Sequence, residues 1–324
     1  MRPALSVVAF TVLSGAGLGA LALVALVDLA ALLGAAPVAP MVLARTAAVA
    51  LVFTVAGLLS STLHLGNPRN ARLALSRWRT SWLSREGMAA LAFLPVATLL
   101  VALLWFDAAH AVRGVAALAT AALAWTTIYC TAMIYASLKP IRQWHTRHVP
   151  AAYLLLGHAS GAVLLVGTLR AYGGAPAALV VLAGALLLAA AFVKLDYYAF
   201  MAGDENRLTI EDAIGVARGV GPARPATPGT VMRARLLDAG HSRGTFLTHE
   251  FGYTLARDAR TALRVAFWAA GLALPALWLA AGADDWAGSL AALAACLAGL
   301  AAERWLFFAE ARHTVRLYHG DATT

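Results

Sequence analysis

The sequence predicts an all-α, polytopic membrane protein of eight transmembrane helices, with a hydrophilic loop between the sixth and the seventh. Three observations predict it. Of the 324 residues, 61% are hydrophobic and 13% charged, whereas soluble domains are roughly half apolar and a quarter charged. Mean hydropathy is +0.74. Uncharged apolar runs long enough to cross a bilayer as a helix recur from end to end. This composition excludes a soluble globular enzyme, a disordered tail and a nucleic-acid-binding domain. The net charge of +9 is read as Arg-rich loops beside membrane helices, not as a nucleic-acid footprint. The runs are continuous rather than alternating, which excludes transmembrane β-strands.

The spans are expected at about 4–27, 41–63, 87–106, 113–137, 150–170, 175–199, 261–281 and 286–308. Together, 1–324 reads as one integral membrane domain. The first run is too long and too weakly basic at its start for a signal peptide, and the charge on Asp28 is expected to end it. Gly15, Gly17 and Gly19, and the alanine-rich stretches near 115–124 and 291–302, suit close helix packing. The loops after the first, third, fifth and seventh spans are short. The sixth loop, 200–260, is hydrophilic, and its Gly219–Pro228 piece reads as irregular. Arg257, Arg260 and Arg264 share one helical face, so the segment before the seventh span reads as an amphipathic lead-in near the headgroups. Cys130 and Cys296 are the only cysteines. That is too few for a cysteine-ligated cluster or zinc site, which needs about four ligands, and gives no disulfide framework.

With eight spans, both termini share one side with the even-numbered loops. We call this side one. Of the 25 Lys and Arg, only Arg45, Arg113 and Arg170 fall on side two, leaving 22 on side one. Of the 16 acids, Asp28, Asp107, Asp284 and Asp285 fall on side two. The positive-inside rule then makes side one cytoplasmic. The expected location is a bacterial inner membrane, multi-pass, with both termini cytoplasmic. The competing reading is that the arginines serve a docked partner and report nothing of topology.

Polar residues gather at side-one helix ends. The densest group is Ser60-Ser-Thr-Leu-His64-Leu-Gly-Asn-Pro68-Arg69, followed by Trp82-Leu-Ser-Arg-Glu86. An imidazole and a carboxylate here flank one loop at membrane depth. Quinones need such groups, because two carbonyls take hydrogen bonds and reduction consumes two protons. The structural alternatives are a helix-end hydrogen bond for His64, and a first-turn carboxylate for Glu86 in a helix capped by Ser84. A second polar end is Tyr135–His145, where Tyr135 and Trp144 also suit an interfacial aromatic belt. A third is Glu303-Arg304-Trp-Leu-Phe-Phe308, where Arg304 pairs with Glu303 or Glu310 or snorkels to the headgroups. His158 lies in the fifth span and reads as a satisfied packing residue rather than a proton relay. A b-type haem needs facing histidines, and only His64 and His158 lie in or at spans, so one pair is open. No phosphate loop, dinucleotide fingerprint or zinc-hydrolase motif is present. A secondary transporter fits less well, since the helix interiors read as apolar and no inverted repeat is visible.

The stretch Ser61-Thr-Leu-His64-Leu-Gly66-Asn-Pro68 through Arg77, then Ser81-Trp-Leu-Ser84-Arg-Glu86, resembles the membrane-anchor subunits of the dimethyl sulfoxide reductase family of molybdoenzymes. Met133-Ile-Tyr135…Pro140…Trp144, Glu250-Phe-Gly-Tyr-Thr-Leu-Ala-Arg257 and Arg304…Phe307-Phe308 are similar to that family too. The resemblance implies an anchor for a molybdopterin catalytic subunit and an iron–sulfur subunit. It implies quinone binding near the nearest cluster and no metal or haem of the anchor's own. His64 and Glu86 match the family's quinol-site positions, whereas Arg85 sits where members vary. The eighth span departs from the pattern, with Leu300 where an acid is often found. A cytoplasmic motif loop makes the chain look more like an anchor of cytoplasm-facing sulfite-oxidising complexes that reduce quinone. An anchor of a quinol-oxidising reductase and a haem-carrying cytochrome subunit are the alternatives.

The expected quinone (ubiquinone or menaquinone) site is thus His64, Glu86, Arg85, Trp82, Tyr135 and Lys139, with Arg85 and Lys139 tuning its potential electrostatically. The expected docking surface for the partner subunits is Arg69, Arg72, Arg77, Arg79 and Arg142, with the 200–260 segment. Membrane lipid surrounds the spans, and no residue of this chain is expected to turn over the partner's substrate.

Overall fold

A computed structural model describes residues 3–35, 38–63, 75–203, 207–214, 253–283, 285–319, 321 and 323–324. Eight of its helices are long and apolar enough to cross a membrane. They are α1 (Leu5–Leu32), α2 (Pro40–Thr62), α3 (Trp82–Trp105), α4 (His110–Ala136), α5 (His148–Ala171), α6 (Ala177–Ala202), α7 (Arg257–Ala281) and α8 (Trp286–Ala309). This is a multi-pass, all-α membrane protein. Among the described residues, β structure is confined to one isolated antiparallel bridge, Ile141 to His313, which ties the α4–α5 loop to the C-terminal tail.

The bundle is built around α1 and α5, whose side chains are mostly buried, whereas α3, α6 and α7 turn much of their surface outward. Small residues make the central contact possible. A Cβ on Gly19 would collide with the backbone carbonyl of Gly157 in α5, and one on Gly299 of α8 would collide with Gly271 of α7. Each glycine lets two backbones approach without a side chain between them. Outer helices show two-sided patterning. On α6, Val181, Leu188, Phe192 and Leu195 are exposed, as lipid-facing residues must be. The opposite stripe of Ala183, Leu187, Ala190, Lys194 and Tyr197 is buried. That stripe advances by alternating steps of four and three, the repeat of a helix seam facing its neighbours.

Two boundaries differ from expectation for identifiable reasons. Asp28 does not end the first helix, which runs on to Leu32. The carboxylate is fully buried and lies 3.0 Å from Arg113 Nε, whose Nη1 donates to Asp107 at 2.6 Å. An acid paired with a guanidinium can enter the membrane edge that an unpaired one would avoid. In α7 the amphipathic lead-in is helical, as expected, but the helix is not uniform. Phe267–Ala273 is a π-helical stretch inside it. Pro275, just beyond, has no N–H to donate to Gly271, and a missing rung of this kind permits the wider turn.

Side two is closed by internal pairing. Besides Arg113, Arg170 is buried, donates to the carbonyls of Trp278 (3.0 Å) and Leu279 (2.9 Å), and stacks on the Trp278 ring. Side one, where α2 meets α3, α4 meets α5, and α6, α7 and α8 have their polar ends, holds the remaining described functional candidates. Residues 215–252, with the Gly219–Pro228 piece, lie outside the described residues.

Candidate functional site

The side-one end of α3 is organised by its own first turn. Ser81 caps the helix, its hydroxyl accepting from Ser84 N at 3.4 Å. The expected cap, Ser84, is instead a buried residue inside the helix, because α3 begins at Trp82. Arg85 reaches back along the incoming loop. Its Nε donates to the Trp78 carbonyl and its Nη2 to the Arg79 carbonyl, both at 2.8 Å, and its guanidinium lies 4.2 Å over the Trp82 ring. Trp82 in turn meets Tyr129 of α4 edge-on at 5.9 Å. Arg85 therefore fastens the α2–α3 loop to the helix, and Trp82 fastens the helix to α4.

This frame buries Glu86, which is 6% exposed, on the inner stripe Glu86, Ala90, Phe93, Ala97, Leu100 and Leu104. A carboxyl there needs a partner. It finds one in Thr131, whose hydroxyl donates to Glu86 Oε1 at 2.8 Å. Thr131 is the corresponding inward residue of α4, on the buried stripe Arg113, Ala117, Thr120, Ala124, Thr127 and Thr131. Glu86 is thus not a helix-cap residue but half of an interhelical pair. Thr131 Oγ1 is also 2.9 Å from the Thr127 carbonyl. A hydroxyl has one proton and two acceptor lone pairs. When Glu86 is ionised, that proton goes to the carboxylate. When Glu86 is protonated, Thr131 can donate to Thr127 and accept from the carboxylic acid. The pair is hydrogen-bonded in both states.

Farther along α4, Tyr135 sits in an aromatic box. Its ring lies 5.2 Å from Trp144, 5.9 Å from Tyr153, and 5.5 and 5.4 Å from Phe307 and Phe308. Trp144 is buried and donates to the Phe307 carbonyl at 3.0 Å. The interfacial-belt reading of Tyr135 and Trp144 gives way to this box, which packs α4, α5 and α8 together. Lys139 is exposed in the loop after α4.

The sequence reading named Glu303 and Arg304, with their pairing as one alternative, but missed Lys194. Glu303 of α8 has no exposed surface; Lys194 of α6 donates to its Oε1 at 2.6 Å, and Arg304 Nε donates to its Oε2. Arg304 does not snorkel. It is buried, with its guanidinium 4.3 Å over the Tyr153 ring. The signal was the seam: Lys194 and Glu303 each fall on the inward stripe of their helix, Glu303 on Ala292, Cys296, Gly299 and Glu303. A cavity of about 30 Å³ lies between Thr131, Tyr153 and Arg304. It has room for about one or two waters, with Thr131 and Arg304 both on its wall.

His158 is satisfied, as expected. Its Nε2 accepts from Trp125 Nε1 at 2.9 Å, and its Nδ1 donates to the Leu154 carbonyl at 2.7 Å. Both nitrogens are engaged in one neutral tautomer. Among the described residues, no three His, Cys, Asp or Glu side chains come together to hold a metal. Of the expected docking arginines, Arg77 and Arg79 are exposed on the α2–α3 loop. Arg142 lies apart from them, over the Phe200 ring at 5.3 Å. His64, Arg69 and Arg72 lie outside the described residues. The structure therefore joins Trp82 with Arg85, pairs the adjacent Glu86 with Thr131, places Tyr135 in an aromatic box farther along α4, and leaves Lys139 outside them.

Charge balance in the buried triad yields an asymmetric expectation. Glu303→Gln leaves Lys194 and Arg304 adjacent with no counter-charge and should cost roughly 3–5 kcal/mol. Lys194→Met leaves the Glu303–Arg304 pair intact and should cost markedly less. Thermal unfolding in detergent orders the two variants; equal losses would contradict the assignment.

Comparison with known proteins agrees with this architecture. The DMSO reductase anchor subunit (DmsC) family matches residues 1–222, the stretch that contains α1 to α6. A sulfite dehydrogenase subunit of Allochromatium vinosum is 33% identical over 98% of this chain and 99% of its own length. No solved structure matches the chain. The family match covers more than half of the chain, and the relative aligns from end to end, α7 and α8 included. The chain therefore belongs to the DMSO reductase anchor subunit (DmsC) family.

Proposed function

We propose that this chain is the quinone-reactive anchor of a three-subunit molybdoenzyme, passing electrons between a partner iron–sulfur subunit and the quinone pool. The observation that carries the reading is the Glu86–Thr131 pair. Reducing a quinone to a quinol takes two electrons and two protons. The partner subunit supplies the electrons, and a carboxyl at the membrane end of the anchor must hold and release protons. A buried carboxyl that is hydrogen-bonded in both protonation states does this without stranding a polar group at either step. The cavity behind Thr131 is too small for a quinone ring. The ring is accordingly proposed on the loop side of Glu86, where His64 would hydrogen-bond a carbonyl. The aromatic surface of Trp82 lies at the same helix end. Arg85, with its guanidinium spent on the loop carbonyls, serves as a positioning residue, and exposed Lys139 contributes only at long range. A haem-bearing cytochrome is the weaker reading, because both His158 nitrogens are already hydrogen-bonded.

The name of the Allochromatium relative extends the proposal to its partners. A molybdopterin subunit would oxidise sulfite, and quinone would be reduced here. The charge asymmetry supports a cytoplasmic side one in a bacterial inner membrane. Arg113 and Arg170 are spent on pairs inside the protein, so side two is poorer in loop charge than its residue count suggests.

Glu86→Gln should leave the complex assembled and the catalytic subunit active with an artificial electron acceptor. Quinone-linked turnover should fall roughly a hundredfold or more. Thr131→Val removes one hydrogen bond and should cost roughly tenfold. Unchanged quinone-linked rates in both variants would remove Glu86 from the mechanism. For orientation, a reporter active only in the cytoplasm should work when fused at residue 220. Activity of an export-dependent reporter at that position would reverse the topology.

A further inference from the structure

A basin of about 480 Å³ opens at side one and shares no lining residue with the proposed quinone site. Its walls carry six arginines, Arg142, Arg207, Arg260, Arg264, Arg312 and Arg316, one carboxylate side chain, Glu310, and Thr323 and Thr324 of the tail. They converge from the α4–α5 loop, the segment after α6, the first turns of α7 and the C-terminal tail. Among the described residues, Arg260, Arg264 and Arg312 together exceed their acidic partners. Glu310 Oε1 is shared between Arg264 Nη2 at 2.9 Å and Arg260 Nε at 3.4 Å. The buried Nε of Arg264 makes no hydrogen bond among the described residues, and that of Arg260 has only the long ion-pair contact. Arg316 pairs with Asp321 at 2.5 Å. Burial, together with the neighbouring Arg316 and Arg260, holds Arg312 below the usual arginine pKa. Crowded like charges in a concave wall are stabilised by a bound anion, and guanidinium forks match phosphate oxygens.

The remaining wall identifies the anion. Phe200 and Met201, at the end of α6, and Leu255, just before α7, line the same basin. These are the points where two spans leave the bilayer. A free anion would gain nothing from that apolar wall, whereas a lipid phosphate with its glycerol and first methylenes would use both parts. Basic pockets between span ends are where anionic headgroups bind. We propose that this basin is a binding site for the phosphate headgroup of an anionic phospholipid, seated between the ends of α6 and α7 and the C-terminal tail.

The test uses the complete complex, purified in mild detergent and returned to nanodiscs of phosphatidylcholine with or without phosphatidylglycerol. Retained phospholipid is read by native mass spectrometry. The double variant Arg260→Gln/Arg312→Gln should retain roughly thirtyfold less phosphatidylglycerol than wild type, the factor expected from losing two arginine contacts at a membrane surface. Arg45→Gln, at the opposite end and stacked on Tyr172, should retain it fully. Should the double variant not fold, the wild-type complex decides alone: its thermal midpoint should rise with phosphatidylglycerol and not with phosphatidylcholine. Equal stabilisation by inorganic phosphate would make this a free-anion site and overturn the proposal. Loss of a partner subunit from the double variant with lipid retention unchanged would make it a protein-docking surface. Unchanged lipid retention with an intact complex would also overturn it.

Discussion

Glu303 sits wholly inside the bundle with a cation on either side, and the packing of the side-one end depends on that arrangement. A lone carboxylate in this setting would be prohibitively costly, and so would either cation without it. Lys194 brings α6 to α8, and Arg304 lies over Tyr153 and so brings α8 to α5. The aromatic box around Tyr135 closes over the same helices, with Trp144 hydrogen-bonded to the α8 backbone. Apolar contact alone provides little preference between helices in lipid, because the tails are as apolar as leucine. Satisfied buried charges supply the preference: every displacement of α6 relative to α8 separates an ion pair.

The two ends of the molecule solve the same electrostatic problem differently. At side two, Arg113 and Arg170 are consumed by Asp28, Asp107 and backbone carbonyls, so little charge is left for a ligand. At side one, among the described residues, arginines outnumber their acidic partners. The surplus appears as exposed Arg77 and Arg79 on the α2–α3 loop and as the arginine basin beside the tail.

Much of this was legible in the sequence, and the failures share one cause. The eight spans follow from apolar runs alone, because a helix crossing lipid must be apolar over its length whatever it packs against. The His64–Glu86 motif could be recognised from residues close together in the chain. Asp28 was misread and Lys194 missed because a charge in an apolar run looks like an end or an exception until its partner is known, and Glu303 was read with Arg304 alone. Lys194 and Glu303 are 109 residues apart, and no local pattern couples them. What local pattern does carry is the four-three seam, which places Glu86, Thr131, Lys194 and Glu303 all on inward stripes. Reading the seam before reading the charge would have found each of them. Ser84 was mistaken for the cap because the helix start depends on Arg85 drawing the loop back over Trp82, a contact between residues too closely spaced to show as a pattern.

The most direct measurement is photolabelling of the intact complex in its membrane with an azido-substituted quinone, followed by peptide mapping. Label concentrated on the segment from Trp82 to Glu86 and on Tyr129–Tyr135, and displaced by excess native quinone, is the expected result. Displaceable label found only on other helices, with these two segments clean, would contradict a quinone site at the side-one end of α3.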